Sequence, residues 1–432
     1  MKGDTRQIGE DYKEAHSDLS HLKYVEVHKG LVGVYIDETL ISYIDGINGK
    51  LFYRGYPIRE LVECSTFEEV SYLLIYGRLP SKSELENHKD LLIKERNIPD
   101  NILSILKSFP RNTTRIELLR TAISALSLYD PEDYVYTEEA NIRKGLRIMA
   151  KMPTLIAFSH RIQQNQPLVE PWDDVSHAGN YYYMMTGEQP SKEFEDAFDK
   201  VLICHADHSI NASTLSCRVT VSTLSDLYSG ITSAIGTLRG PLHGGANEAV
   251  MRYMFNEVKR KDNVIPWAEK KLANKEKIMG FGHRVYKTWD PRGLIMRDIS
   301  NKFWKKVKNG GTIDRIDCGQ DLDHDHNQVD YIFDMTEILA EYMIENKDIY
   351  PNVDLYSAGL LHLLGIPMAA FTPLFAAARC SGWVAHAIEQ LRDNKLIRPR
   401  LKYVGLLDRK YIPIEERYAE KIKGYEITNE LV

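Results

Sequence analysis

Residues 240–250 read Gly-Pro-Leu-His-Gly-Gly-Ala-Asn-Glu-Ala-Val and set one histidine, His243, in a tight turn directly before a helix. Glycine tolerates positive φ and proline fixes its own φ, so the backbone can turn sharply around this imidazole. Apolar residues then recur at helical spacing from Val250 to Val258. Free N–H groups at a helix start disfavour a second proton on a nearby histidine, so we expect a neutral His243 that donates a hydrogen bond. A histidine that only packs would leave the same local pattern.

Helical signals extend from this turn in both directions. Capping boxes occupy residues 65–68 and 81–84, and long amphipathic segments cover 138–163 and 191–208. A further helix is expected over 214–238, where it leads into the His243 turn. Strands and helices do not alternate, so we predict an all-α protein.

The only convincing β signal lies near the N-terminus. Residues 31–44 are rich in Val, Ile, Tyr and Thr, and Asp-Gly and Asn-Gly pairs within 45–49 precede a second apolar run at 51–53. We therefore expect one small N-terminal β-hairpin and nothing larger.

Composition excludes several classes of protein. A chain of 432 residues is too long for one compact core, and its net charge of −6 provides no basic field for nucleic acid or an anionic membrane. The uncharged run 355–378 contains Pro367 and Pro373, so we predict two buried helices that meet at a break, not a membrane span. Five scattered cysteines without a CxxC pair, and an N-terminus without a signal peptide, favour a cytoplasmic protein with reduced thiols.

Two more histidine motifs carry candidate chemistry. His205 and His208 are spaced i, i+3, but HExxH is absent and the near carboxylate is Asp207, so a structural or substrate-binding role is favoured over a metal site. The second motif, residues 280–292, frames His283 with glycines and adds several cations. It lacks the third glycine of a nucleotide loop, and its cations suit a polyanionic ligand or a solvated face equally well.

Three charged positions complete the candidates. Asp354 precedes the uncharged run, where it is either a desolvated base or a helix N-cap, and the local sequence favours the cap. Arg379 lies within a helix of small residues, 374–390, and needs an anionic partner if it is buried. Such a helix can pack closely in the core or across a subunit interface. The run 305–330, with its Asp and His residues, is interpreted as a solvated loop and not a metal site.

Three segments together resemble the citrate synthase family in its short bacterial and archaeal form. They are Gly-Pro-Leu-His-Gly-Gly-Ala-Asn-Glu from 240, Gly-Phe-Gly-His-Arg-Val-Tyr-Lys-Thr-Trp-Asp-Pro-Arg from 280, and Pro-Asn-Val-Asp from 351, and the resemblance spans about 28–410. It implies a homodimer with a large helical domain, 1–245 and 365–432, and a smaller inserted helical domain, 246–364.

The activity that the resemblance implies is an acyltransferase reaction. Acetyl-CoA condenses with oxaloacetate in a Claisen reaction, and citryl-CoA is hydrolysed, with no metal or cofactor. By similarity, Asp354 takes the methyl proton, His243 hydrogen-bonds the thioester oxygen and His283 polarises the ketone. The implied oxaloacetate groups are His208, Asn211, Arg292, Arg379 and, from the partner subunit, Arg398. The implied CoA groups are Lys277, Gly280, Phe281, Gly282, Lys287 and Lys347. The resemblance offers no sign of the extra N-terminal domain of NADH-inhibited relatives.

Other functions remain open at this point. The same motifs occur in 2-methylcitrate synthases, which use propionyl-CoA and differ in their substrate by one methylene group. A metal-dependent hydrolase built from His205, His208, His243, His283 and Asp354, and a non-catalytic CoA-binding protein, are alternatives of other classes.

Overall fold

The computed structural model describes residues 26–316, 329–404 and 410–416. Contacts divide the chain into two units. One comprises 1–38 and 398–432, and its described residues hold two 3₁₀ turns, Lys29–Leu31 and Ile414–Glu416. The other comprises 39–397 and holds the sheet and all sixteen α-helices of the described residues, which confirms the all-α prediction. The division into a large domain and an inserted small domain, with boundaries at residues 245 and 364, stays a prediction.

The β structure is a three-stranded antiparallel sheet, β1 (Ser42–Asp45), β2 (Lys50–Tyr53) and β3 (Tyr56–Pro57). Ser42 pairs with Tyr53 and Asp45 with Lys50, so the predicted hairpin forms around the 46–49 turn. The first strand is much shorter than the expected run from 31, and a third strand, which was not predicted, pairs with β2. Residues 31–41 form no strand, although the Ile41 carbonyl oxygen accepts the Arg54 N–H at 2.7 Å just before β1 begins.

The helices are bounded as follows. Before the His243 turn lie α1 (Ile58–Cys64), α2 (Phe67–Tyr76), α3 (Lys82–Lys94), α4 (Asp100–Ser108), α5 (Arg115–Leu126), α6 (Glu138–Gln163), α7 (His177–Thr186), α8 (Lys192–His205), α9 (Ala212–Ser222) and α10 (Leu227–Leu238). After it lie α11 (Ala246–Tyr253), α12 (Val264–Ala273), α13 (Pro291–Lys308), α14 (Val329–Lys347), α15 (Val353–Leu363) and α16 (Phe371–Arg392).

One predicted helix is two. The expected helix 214–238 breaks between α9 and α10, where Leu224 adopts a φ of 66° and Asp226 caps α10 by accepting a hydrogen bond from the Ser229 N–H. A β-branched or leucine side chain rarely tolerates positive φ, so the turn is imposed by the packing of the two helices against each other. The prediction failed because the apolar periodicity of both helices continues across the turn.

Helix α16 forms the centre of the core. It packs against α6, α9, α2, α10 and α8, and nearly all its residues are buried. Gly382 allows the residues after α8 to approach α16 closely, since a Cβ there would lie 2.5 Å from the Ala206 carbonyl oxygen. The small residues of this helix therefore serve contacts within the chain, and covering it does not require a partner subunit.

The uncharged run 355–378 forms α15 and the first part of α16, separated by a break that includes the 3₁₀ turn Met368–Ala370. This confirms the two predicted buried helices. In the described ranges, no helix is both long enough and apolar enough to cross a bilayer.

Candidate active site

His243 lies on the turn between α10 and α11, three residues before α11 begins. The turn closes tightly because a Cβ at Gly244 would lie 2.6 Å from the Leu238 carbonyl oxygen. The Ser213 backbone N–H donates to His243 Nε2 at 3.3 Å, and the Ser213 hydroxyl lies 2.8 Å from the same nitrogen. Because Nε2 accepts a hydrogen bond, the proton of the neutral ring is on Nδ1. Burial, and then the charge of Arg379, lower the pKa of His243 to about 4, so the ring is neutral at pH 7.

His283 is held in the opposite tautomer. Its Nδ1 accepts the backbone N–H groups of Val285 and Tyr286, at 3.0 and 3.1 Å. The proton of the neutral ring is therefore on Nε2, which is left to donate to a ligand. Burial, and then the charge of Arg292, lower the pKa of His283 to about 4.

His208 lies beside His283, with ring centroids 5.1 Å apart, and its Nε2 is 3.3 Å from the Tyr286 hydroxyl. Burial lowers its pKa well below the ordinary value. His205 ends α8 and turns away from this pair, because its Nδ1 donates to the Val201 carbonyl oxygen at 2.8 Å. The i, i+3 spacing therefore does not bring the two histidines to a common ligand, because the helix ends between them.

Asp354 lies in the first turn of α15. The helix cap is Asn352, whose side chain accepts the Asp354 N–H at 3.0 Å, so the local preference for Asp354 as the cap was wrong. In the described part of the chain, no donor bonds the Asp354 carboxylate. Burial raises its pKa to about 7, although Arg292 and Arg379 oppose this rise. The side chain is a carboxyl group that gains and loses a proton near neutral pH.

Backbone bonds fasten the His283 segment to the start of α15. The Asn352 N–H donates to the Gly280 carbonyl oxygen at 3.0 Å, and the Gly282 N–H donates to the Tyr350 carbonyl oxygen at 2.9 Å. Gly280 has a φ of 88°, which glycine adopts without strain. Because of these bonds, one short piece of irregular backbone positions both His283 and Asp354.

Arg292 is buried and bonded on one edge to Asp290, with Nε at 3.0 Å and Nη2 at 2.7 Å from the two carboxylate oxygens. Asp290 also accepts the Val353 N–H, which connects α13 to α15. The third guanidinium nitrogen, Nη1, has no partner among the described residues. This pair keeps a fixed cation beside the Asp354 carboxyl group.

Arg379 is 1% exposed on α16 and lacks a carboxylate partner in the described ranges. Its Nε donates to the His205 carbonyl oxygen at 2.7 Å, and its guanidinium carbon lies 4.8 Å from the Phe375 ring centre. Burial lowers its pKa to about 10, so it is charged at pH 7. A buried cation whose terminal nitrogens lack an anion is prepared to bind one.

A family model for the citrate synthase C-terminal domain matches residues 30–400. The chain belongs to the citrate synthase family. It is 44% identical to citrate synthase 2 of Bacillus subtilis over 90% of this chain and 99% of that protein, and 39% identical to a citrate/2-methylcitrate synthase of the same organism over 87% and 96%. The citrate synthase of Thermoplasma acidophilum, solved as a ternary complex with carboxymethyl coenzyme A and oxaloacetate, has a TM-score of 0.82 and 34% identity, covering 91% of this chain and all of that one.

The structure gives the surroundings of two more predicted oxaloacetate residues of this citrate synthase family member. The Asn211 side chain caps α9, since its Oδ1 accepts the N–H groups of Ser213 and Thr214, and its Nδ2 donates to the Ser209 carbonyl oxygen. Asn211 thereby positions Ser213 against His243. Arg398 is exposed and belongs to the unit that contains the two chain termini.

The predicted CoA residues lie around the Gly280–Asn352 bonds. Lys277 and Lys287 are exposed on either side of the buried Phe281, which forms an isolated bridge with Pro351. Lys347 ends α14, three residues before Tyr350, whose carbonyl oxygen accepts the Gly282 N–H. The three lysines therefore belong to segments that the same backbone bonds connect.

The run 305–330 contains less loop than expected, because residues 305–308 end α13 and residues 329–330 begin α14. Its central part, with the Asp and His residues 321–326, lies outside the described residues. Within the described ranges, no group of three or more His, Cys, Asp and Glu side chains could hold a metal ion.

Sequence reasoning missed three residues that shape the site. Ser213 sets the His243 tautomer, Tyr286 joins His208 to His283, and Phe375 lies against His205, His243 and Arg379. Each acts through a contact between segments that are distant in sequence or through the local backbone. A lone serine or phenylalanine within a helix carries no sequence signal for such a role.

Proposed function

We propose that this member of the citrate synthase family condenses acetyl-CoA with oxaloacetate and hydrolyses citryl-CoA to citrate and CoA. The observation that carries the proposal is one carboxyl group with a pKa near 7, accompanied by two histidines kept neutral in opposite tautomers. An enolisation needs a base, and an electrophile that stabilises the enolate oxygen without an extra proton.

In the proposed first step, Asp354 takes a proton from the methyl group of acetyl-CoA. A base with a pKa near the working pH combines a useful ionised fraction with useful basicity. His243 donates its Nδ1–H to the thioester oxygen, where negative charge develops. Because Ser213 fixes the tautomer, this donor needs no reorganisation during the reaction.

In the second step, the enol carbon attacks the ketone of oxaloacetate. His283 donates its Nε2–H to the ketone oxygen, which makes the carbonyl carbon more electrophilic. Arg379 binds one oxaloacetate carboxylate through its two terminal nitrogens, and Arg292 contributes Nη1 and fixed positive charge. His208 and the exposed Arg398 of a partner subunit complete the proposed binding set.

CoA is proposed to bind along the segment 277–287, with Lys277, Lys287 and Lys347 facing its phosphates. Motion of the proposed small domain, 246–364, relative to the rest would expel water before the enol forms. The polarising groups are imidazoles and a guanidinium, so this mechanism uses no cofactor beyond the acyl-CoA substrate.

A homodimer and a cytoplasmic location are further parts of the proposal. Support for the dimer comes from three large apolar side chains exposed near the α5 end and the α9–α10 turn, namely Leu128 (80%), Tyr134 (85%) and Leu224 (65%). A second copy of the chain would cover them. The location is supported by the free cysteines of the described residues, three of which are buried.

The test is CoA release that requires both oxaloacetate and acetyl-CoA and survives exhaustive chelation. Activity lost on chelation and restored by a metal would contradict the mechanism, and no turnover would favour a CoA-binding protein. Propionyl-CoA, tested under identical conditions, decides between this activity and the second candidate, 2-methylcitrate synthesis, which the similarity to a citrate/2-methylcitrate synthase favours. One methylene group is worth only about 1–3 kcal/mol, so kcat/KM should differ by about 10–200-fold.

A further inference from the structure

A cavity of about 460 Å³ adjoins the His243 turn, apart from the catalytic side chains. Its wall combines residues 111–116 at the start of α5, Arg239 and Gly245 from the two sides of the turn, Arg252 of α11, and Thr372 of α16. None of the residues given a substrate-binding or catalytic role above lines it. Its volume is within the range of small-molecule sites.

The wall of this cavity is strongly basic. Four arginines and one acid, Glu248, line it, which gives a formal charge of +3. Arg115 is buried and its Nε donates to the Gln163 side chain at 3.3 Å, so it is held in place. Arg239 pairs with Glu117, which does not line the cavity, at 2.6 Å. Including Glu117, the site still carries a charge of +2.

Two of the arginines have capacity for a ligand. Arg111 is exposed and makes no ion pair within the described part of the chain. Arg252 has its nearest carboxylate oxygen, on Glu248, at 3.8 Å, which is beyond hydrogen-bond distance. The other Glu248 oxygen accepts the Thr372 hydroxyl, so Glu248 is already engaged.

Three helices begin at this cavity. Their caps are Thr114 for α5, Gly245 for α11 and Ala370 for α16, and none of these caps satisfies a backbone N–H with its side chain. The N-terminal end of a helix carries partial positive charge and free N–H donors. Two of these ends already meet a carboxylate, since Glu248 accepts the Thr372 N–H at 3.4 Å and Glu117 is hydrogen-bonded to Thr114. The positive potential of the cavity therefore comes mainly from the arginines, with a contribution from the N-terminal end of α11.

We propose that this cavity binds a phosphate-bearing anion at a site separate from the substrate positions. Guanidinium groups match phosphate oxygens in pairs, and the N-terminal end of α11 adds partial positive charge. The cavity is larger than a single phosphate needs, so a polyphosphate chain or an organic phosphate fits its size and charge. Its occupant would connect the start of α5 to α11 across the His243 turn.

The test measures binding of sodium tripolyphosphate to the full chain by titration calorimetry, with oxaloacetate and CoA present at saturation to occupy the substrate positions. We expect saturable binding. The double variant Arg111→Gln/Arg252→Gln should weaken it about 100-fold, because each lost charge-assisted contact costs roughly tenfold. Both arginines are on the surface, so the variant should fold.

The matched control is Arg78→Gln/Arg143→Gln, which removes the same charge from two exposed arginines elsewhere. It should bind like the unmodified protein. The proposal would be overturned if the unmodified protein showed no saturable binding of tripolyphosphate, or if the Arg111/Arg252 variant bound it as tightly as the unmodified protein. An equal loss of affinity in the control variant would also overturn it. Adenosine triphosphate, titrated in parallel, identifies the source: tighter binding than tripolyphosphate supports an organic phosphate, and equal binding supports recognition of the phosphate chain alone.

Discussion

Replacement of Asp354 by asparagine should stabilise the folded protein at alkaline pH while it removes the catalytic base. The Asp354 pKa is raised from 3.8 to about 7 because burial disfavours the ionised form. The folded state therefore binds a proton more tightly than the unfolded state does. Between these two pKa values the folded protein carries more protons, so stability falls as pH rises, and the full cost is present above pH 7.

The size of this cost follows from the shift. About 3 pKa units at 1.36 kcal/mol each give a ceiling of about 4 kcal/mol. The side chain keeps some solvent exposure, so we expect about half, or roughly 2 kcal/mol, at pH 8. At pH 5 the Asp354→Asn variant should keep only about one-third of this stabilisation, because Asp354 in the original folded protein is then mostly protonated. Activity should fall on the order of 10²- to 10⁴-fold, which is the usual contribution of a general base.

The assay compares urea midpoints of the original chain and Asp354→Asn at pH 5 and pH 8, together with CoA release at pH 8. Asp348→Asn is the control, because Asp348 is exposed and asparagine tolerates its φ of 53°. We expect no change in that variant. Equal urea midpoints for Asp354→Asn and the original chain at pH 8 would refute the claim that burial destabilises the ionised Asp354 carboxylate. Near-normal turnover of the variant would refute the role of Asp354 as the base.

Three further outcomes are expected. Arg379→Leu should raise the KM for oxaloacetate by at least tenfold with a smaller effect on the KM for acetyl-CoA, since one carboxylate loses its bidentate partner; equal effects on both KM values would contradict that role. Inactive Asp354→Asn and Arg398→Ala chains, mixed under conditions of subunit exchange, should regain partial activity, and no recovery would exclude a shared site. Gly382→Ala should destabilise the fold by about 1–3 kcal/mol in urea unfolding, because the new Cβ would lie 2.5 Å from a backbone oxygen, whereas Gly359→Ala, with only an ordinary 3.5 Å contact, should not. Equal stability of the two alanine variants would argue against the close packing of α16.

Local sequence was sufficient for the helical class, and it provided candidates for the site without deciding their roles. Helix periodicity and capping residues act within a few positions of each other, so they predicted α2, α3, α6, α8, α11, α15 and α16. They merged α9 and α10, where periodicity crosses the turn, and they assigned the end of α13 and the start of α14 to a loop. The motifs drew attention to His243, His283 and Asp354, but the local pattern left a packing role open for His243 and favoured a cap role for Asp354. Their catalytic roles were implied by the resemblance to the citrate synthase family and stay predictions.

Tertiary structure alone decided the chemical state of these groups. The pKa of Asp354 depends on burial and on the charges of Arg292 and Arg379. The residue that caps α15 is Asn352 and not Asp354. The His243 tautomer depends on Ser213, which is thirty residues away in the chain. Desolvation and hydrogen bonding depend on which atoms meet in space, so the sequence determined which groups are available, and packing determined which protons they carry.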